Sequence, residues 1–178
     1  MTSLERPIRN ILESDHQELD VLLAEAESAL AVADPEAVFR SLDLFWARLA
    51  MHIRAEHVRL FPALREARVD EDRRVRLLEL MAELRHDHDF FMVELARAIK
   101  AARLMFYFGN ETETFANVRE ILDRVKQRLA SHNITEENDV YPLADEPFLS
   151  AKQLEETAAG IVEELNKYPA RYKNRDTE

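Results

Sequence analysis

The 178-residue chain has 35 acidic and 24 basic side chains, and its formal net charge of −11 argues against general binding to nucleic acid or to an anionic membrane. It contains no cysteine, which excludes disulfides, thiolate metal sites and thiol catalysis. The two glycines and 47% hydrophobic residues favour helices over sheet, and the length suits one domain over residues 1–178. Residues 1–10 lack the apolar stretch of a secretion signal, and no apolar run is long enough to span a bilayer. We therefore predict an all-α protein of the cytoplasm.

Two helices are predicted in the first part of the chain. The first begins near Pro7, a residue tolerated at the first helical position, and its apolar residues recur at helical spacing with His16 among them. Asp34 can cap the second helix, which runs to about Ala67. Because Pro62 lies inside this second helix and lacks a backbone N–H, we expect a kink or a loosened turn there.

Two further long helices and a short one follow. Asp70 can cap the third helix, Gly109 ends it, and a fourth begins around Thr112 or Thr114. A short fifth helix is predicted over about residues 150–166, because its first residues have the spacing of a capping box. The polar tail, residues 168–178, is predicted to fray.

The run Leu104–Phe108 near the end of the third helix is apolar on all sides. Coverage by the fifth helix is the simpler interpretation of such a run. A homodimer interface is the alternative.

The second and fourth helices carry the same motif. His52 and Glu56 recur eighty residues later as His132 and Glu136, and the apolar residues around them keep the same register. A spacing of four residues places two side chains on one face of a helix, one turn apart. Each pair can therefore present an imidazole nitrogen and a carboxylate to one metal ion.

The first and third helices also repeat, at an offset of 72. Each places an Asp-His dipeptide on its apolar stripe, Asp15-His16 in the first helix and Asp87-His88 in the third. The chain is thus a helical hairpin used twice. Two such hairpins joined by short loops predict an up-down antiparallel four-helix bundle over about residues 4–145, followed by the short fifth helix.

Six polar residues fall on these apolar stripes. Burying carboxylates without a partner costs several kcal/mol, so a cluster of this kind calls for positive charge among its members. Imidazole and carboxylate donors without sulfur suit iron, manganese or zinc, and two glutamates can bridge two ions with about two histidines left for each. The alternative is a buried His–Glu ion-pair network without metal. The predicted ligands are His16, His52, Glu56, His88, His132 and Glu136.

Several neighbouring residues have a second interpretation. His86 lies about 200° around the helix from His88 and is expected to face solvent, with replacement of His88 as ligand as its alternative role. His57 and Glu137 occupy matching positions in the repeat and are predicted to flank the site, with support of the ligands or proton relay as the alternative. Tyr141 is predicted to be a packing residue, with a redox relay as the alternative.

The sequence resembles the hemerythrin-like, HHE cation-binding domains. The resemblance covers about residues 8–145 and rests on the two Asp-His dipeptides and the two His-x-x-x-Glu motifs, which are followed by Leu60-Phe61-Pro62 and Val140-Tyr141-Pro142. It implies an antiparallel four-helix bundle that holds two non-haem iron ions bridged by carboxylates. It also implies chemistry with a small diatomic molecule or peroxide, such as O2, nitric oxide or hydrogen peroxide.

One departure from the family bears on function. Oxygen-carrying hemerythrins have a second histidine one turn from the equivalent of His88, whereas this chain has Met92 after it and Leu84 before it. The set of four histidines and two glutamates is more similar to the branch linked to iron-centre repair and stress response. No residue compels catalytic turnover. A non-enzymatic module that binds and donates iron, and a helical interaction protein with a structural zinc ion, are the alternative functions.

Overall fold

The computed structural model describes residues 7–108, 112–145 and 147–167. These residues are helical almost throughout and contain no strand, so the all-α prediction is confirmed. The predicted helix stop at Gly109 and the polar tail 168–178 lie outside the described residues. Within the described part of the chain, no helix has both the length and the apolar character needed to cross a bilayer.

Each predicted helix has a counterpart in the structure. Two π-helical segments, Glu56–Leu60 and Glu136–Val140, extend the second and fourth predicted helices, and a 3₁₀ turn at Tyr141–Ala144 follows the second segment. The α-helices are α1 (Pro7–Ala31), α2 (Pro35–Ala55), α3 (Phe61–Arg65), α4 (Glu71–Phe108), α5 (Thr112–Thr135) and α6 (Ala151–Leu165).

The helix starts follow the predicted capping residues. The Asp34 carboxylate accepts hydrogen bonds from the backbone N–H groups of Glu36 and Ala37, at 3.1 Å each. Ser150 and Gln153 form both bonds of a capping box at the start of α6. These side chains satisfy backbone donors that the first turn of a helix leaves without partners. The predicted starts of the second and fifth helices are confirmed.

The turn before Pro62 is loosened, as predicted. The N–H of Phe61 bonds to the carbonyl of Glu56, five residues earlier, and the N–H of Tyr141 bonds in the same way to the carbonyl of Glu136. A proline lacks the donor of a regular helix and its ring crowds the preceding turn, so a wider turn relieves the conflict. Each π-helical segment begins at one of the two predicted ligand glutamates.

The helices enclose two apolar clusters with a polar layer between them. Helix α1 packs against α2, α2 against α4, and α4 against α5, which also contacts α1. Along α1, Ile8 and Leu12 belong to one buried cluster and Leu19 and Leu23 to the other. His16 lies between them and is 4% exposed. The same change of cluster occurs at the predicted ligands of α2, α4 and α5.

Helix α6 packs against α1, α2 and the first π-helical segment. Its buried Glu164 pairs with Arg54 at 2.8 Å and with Arg59 at 3.0 Å. The predicted coverage of Leu104–Phe108 by the fifth helix is therefore wrong: Phe108 is 84% exposed and the neighbouring aromatic side chains also reach solvent. The homodimer interface remains a prediction for this run.

Candidate metal centre

The structure brings all six predicted ligands into one buried layer between the two apolar clusters. None of their side chains is more than about 5% exposed, whereas His86 is exposed and lies outside the layer. One group of donor atoms comes from Glu56, His88, His132 and Glu136, and a second comes from His16, His52 and Glu136.

The four histidines form two pairs. In the first histidine pair, from α1 and α2, His16 Nε2 lies 3.2 Å from His52 Nε2. In the second histidine pair, from α4 and α5, His88 Nε2 lies 3.1 Å from His132 Nε2. Each pair thus directs two imidazole nitrogens toward one point.

Each glutamate reaches both histidine pairs. Glu56 Oε1 lies 3.6 Å from His52 Nε2, and Glu56 Oε2 lies 3.2 Å from His88 Nε2. Glu136 repeats this arrangement, with Oε2 3.3 Å from the nearer Nε2 of the first pair and Oε1 3.0 Å from the nearer Nε2 of the second pair. One oxygen of each carboxylate therefore faces each pair.

The oxygens that face the second pair have no hydrogen-bond partner among the described residues. They are Glu56 Oε2 and Glu136 Oε1, which are fully buried. A buried carboxylate oxygen without a partner is costly. A cation between these two oxygens and the two imidazoles would satisfy all four atoms, so the residues present fit a metal ion at this point.

In each pair, an aspartate accepts a hydrogen bond from Nδ1 of one histidine. His52 Nδ1 donates to Asp15 Oδ2 at 2.9 Å, and His132 Nδ1 donates to Asp87 Oδ2 at 3.1 Å. A hydrogen bond at Nδ1 fixes the ring and leaves the Nε2 lone pair for a metal ion. The aspartates of the two Asp-His dipeptides therefore support the histidines of the neighbouring helices.

Arginines in turn hold these aspartates. Arg48 contacts Asp15, and Arg128 Nε donates to Asp87 Oδ1 at 2.6 Å. Neither arginine was predicted from the sequence, although they are eighty residues apart, like the His-x-x-x-Glu motifs. Their identity at this offset is the signal that indicates them.

The other two histidines are held by residues that differ between the halves. His16 Nδ1 donates to Glu137 Oε1 at 2.8 Å, and His57 Nε2 lies 2.8 Å from His88 Nδ1. His57 and Glu137 were predicted to flank the site, with support of the ligands as the alternative. Their contacts match the alternative. All four imidazoles are thus held at Nδ1 with Nε2 directed into the layer.

Tyr141 is also part of the layer. Its hydroxyl oxygen lies 2.9 Å from Glu56 Oε1, 3.1 Å from Glu136 Oε2 and 3.2 Å from His16 Nε2. The predicted packing role is confirmed, since the ring belongs to a buried apolar cluster, but the contacts of the hydroxyl were not predicted. In a regular α-helix, residues five apart point about 140° away from each other. The π-helical turn between Glu136 and Tyr141 places them on the same side.

Without metal, protons on the imidazoles supply positive charge to the layer. Burial lowers the pKa of His88, but the nearby carboxylates of Glu136 and Glu56 outweigh burial and raise the pKa to about 9. Burial and the charge of Glu136 raise the pKa of Glu56, but the imidazoles of His52 and His88 outweigh them and lower it to about 2. Metal ions must therefore displace protons from this layer.

These pKa shifts predict that the free energy of unfolding depends on pH in different ways for the metal-free and the metal-loaded protein. Because the pKa of His88 rises from 6.5 to about 9, its contribution to metal-free stability is complete below 6.5 and is lost as the pH rises through 9. That loss is on the order of 3 kcal/mol. Metal binding needs deprotonated imidazoles, so the metal-loaded protein gains stability only as the pH rises to about 6.5, where the unfolded chain loses its proton, and its stability is level from there to 9.

Denaturant unfolding of both forms, at pH 6.5 and above pH 9, measures this difference. Over this range the free energy of unfolding should fall with pH in the metal-free protein and stay level in the metal-loaded one. Equal slopes would contradict the assignment of protons and metal to the same sites.

The fold and this layer identify the class of protein. It is a helical protein with a buried site of imidazoles and carboxylates in its core. Residues 8–144 match the family model of the hemerythrin HHE cation binding domain. This match covers most of the chain, which belongs to that family. No curated protein and no solved structure gives a significant match. The family and the buried His/Glu cluster together indicate metal binding.

Proposed function

We propose that this chain is a non-haem di-iron protein that reacts with or senses O2, nitric oxide or peroxide. The observation that carries the proposal is that each of Glu56 and Glu136 directs one oxygen toward each histidine pair. Two ions would then lie side by side. The first metal position is held by the first histidine pair and the second metal position by the second pair, with both glutamates as bridges.

We also infer an up-down antiparallel bundle around this centre. Helix α1 begins in the cluster that contains Ile8 and ends in the cluster that contains Leu23, and α4 runs the same way. Helices α2 and α5 begin in the cluster that contains Leu23 and lead through their π-helical segments into the other. Successive long helices in contact therefore run in opposite directions, as in an up-down bundle.

Iron is favoured over zinc by the redox chemistry it can offer to a molecule that approaches from solvent. Nitrogen and oxygen donors suit iron, zinc and manganese, but zinc has no redox chemistry to offer a small molecule. A groove of about 740 Å³ between α1 and α5 is lined by His16 and Glu137. A small diatomic molecule or peroxide could thus reach the edge of the layer, which a purely structural zinc site would not require.

Metal analysis with optical spectra tests the proposal. Protein purified without added metal should contain about two irons per chain, and its near-ultraviolet bands should change on air exposure. The iron-loaded protein should then change its spectrum with at least one of O2, nitric oxide and peroxide. Zinc alone, or no metal in a folded chain, would contradict the proposal. Transfer of iron to a chelator without any such reaction would indicate the iron-donating module instead.

A further inference from the structure

The geometry points to Tyr141 as a protein ligand of the first metal position. This inference rests on the proposed dinuclear centre and adds a seventh residue to it. The Tyr141 hydroxyl oxygen is fully buried and faces three donor atoms of this position, from Glu56, Glu136 and His16.

A hydrogen bond alone does not explain these three contacts. The hydroxyl has one proton and can donate it to a single acceptor. The two carboxylate oxygens can only accept, so the single hydroxyl proton can serve just one of them. The other of these two contacts therefore brings lone pairs together at 3.1 Å or less. A cation among the four atoms turns all of these contacts into favourable ones.

The spacing of the atoms agrees with ligation. Metal bonds to nitrogen and oxygen are about 2.0–2.2 Å long, so neighbouring ligands at right angles lie about 3 Å apart. Tyr141 Oη lies 2.9–3.2 Å from its three neighbours. His16 Nε2 lies 3.2 Å from His52 Nε2 and 3.3 Å from Glu136 Oε2, so the other donors of the position have similar spacing.

The two metal positions then differ. The residue that matches Tyr141 in the repeat is Phe61, whose ring stacks at 14° on His88 and carries no oxygen. The first position has five protein donors, including the phenol, and the second has two imidazoles and two carboxylate oxygens. The second position therefore has one protein donor fewer, which leaves one more coordination site for a small molecule.

Ligation replaces a proton and transfers no electron. A phenol keeps its proton near pH 7, so the metal-free chain holds a neutral Tyr141. When the ion binds, an oxygen–metal bond replaces the O–H bond and the proton leaves to bulk water. The phenolate adds a negative charge to the first position only.

Visible absorption and resonance Raman spectra test this assignment. The protein is loaded with ferrous iron without oxygen and then oxidised in air, because a phenolate bound to ferric iron gives a visible charge-transfer band with enhanced tyrosine ring modes. We expect this band in the wild type and in a Tyr107→Phe control, whose ring is 61% exposed. We expect its loss in Tyr141→Phe with iron still bound, since phenylalanine already occupies the matching position 61.

Wild-type protein labelled with ring-deuterated tyrosine provides a second measurement that needs no variant. Its enhanced Raman modes should shift relative to the unlabelled protein. A ferric protein with two irons and no such band, or a band that survives in Tyr141→Phe, would overturn the tyrosine ligand alone. A wild-type chain that takes up no iron would overturn the proposed function together with this inference.

Discussion

The Glu136→Gln variant is expected to lose both metal ions, whereas the His52→Ala variant loses about one of two. Glu136 contributes an oxygen to each metal position, so its neutral amide weakens both, while His52 belongs to the first position only. Metal bound per chain, measured after gel filtration, should fall by at least half in both variants and furthest in Glu136→Gln. Circular dichroism should show that the helices largely remain.

Two variants serve as controls for this experiment. Glu120→Gln makes the same change on an exposed residue of α5, and His86→Ala removes the exposed histidine nearest the site. Both should keep their full metal content. Unchanged metal in Glu136→Gln and His52→Ala would contradict the ligand assignment, and metal loss in His86→Ala would move a ligand from His88 to His86.

The Asp87→Asn variant is expected to weaken metal binding by about 10–100-fold, the usual effect of removing a carboxylate behind a metal-bound histidine. Asp87 accepts from His132 Nδ1 and pairs with Arg128, so the amide would hold the imidazole less firmly and make its Nε2 a poorer donor. Competition with a chelator measures the change in affinity.

The matched control is Asp89→Asn. Asp89 lies two residues away on the same helix and is exposed, so this variant removes the same charge without touching His132. It should bind metal as the wild type does. Equal losses in Asp87→Asn and Asp89→Asn would show that general charge acts on the site, and would contradict a specific role for the hydrogen bond.

The six proposed ligands could be predicted from sequence because two independent patterns meet at them. Helical spacing shows which residues share a face, and the offsets of 80 and 72 residues show that the same polar residues interrupt the apolar stripe twice. A single histidine on an apolar stripe would not have been enough to predict a metal site. The structure places all six in one layer, while their role as ligands remains a prediction.

The contacts of the Tyr141 hydroxyl could not be predicted from the sequence, because the direction of this side chain depends on the turn before it. The position of Pro142 predicted a loosened turn by analogy with Pro62, but not how far that turn would rotate the chain. Arg48 and Arg128 were missed for another reason. They lie outside the apolar stripes and reach the site only through aspartates of neighbouring helices.

The placement of α6 also could not be predicted from local signals. The capping box at Ser150 indicates where the helix starts but not which surface it covers. Pairing of Glu164 with Arg54 and Arg59, residues far away in sequence, contributes to that choice. The exposed run Leu104–Phe108 was therefore assigned to the wrong neighbour.

Anomalous diffraction from crystals of the iron-loaded protein would locate the metal ions themselves. We predict two iron peaks in the buried layer, one beside His16 and His52 and the other beside His88 and His132. Glu56 and Glu136 should each place one oxygen on either ion. A single peak, or peaks away from these side chains, would contradict a dinuclear centre bridged by the two glutamates.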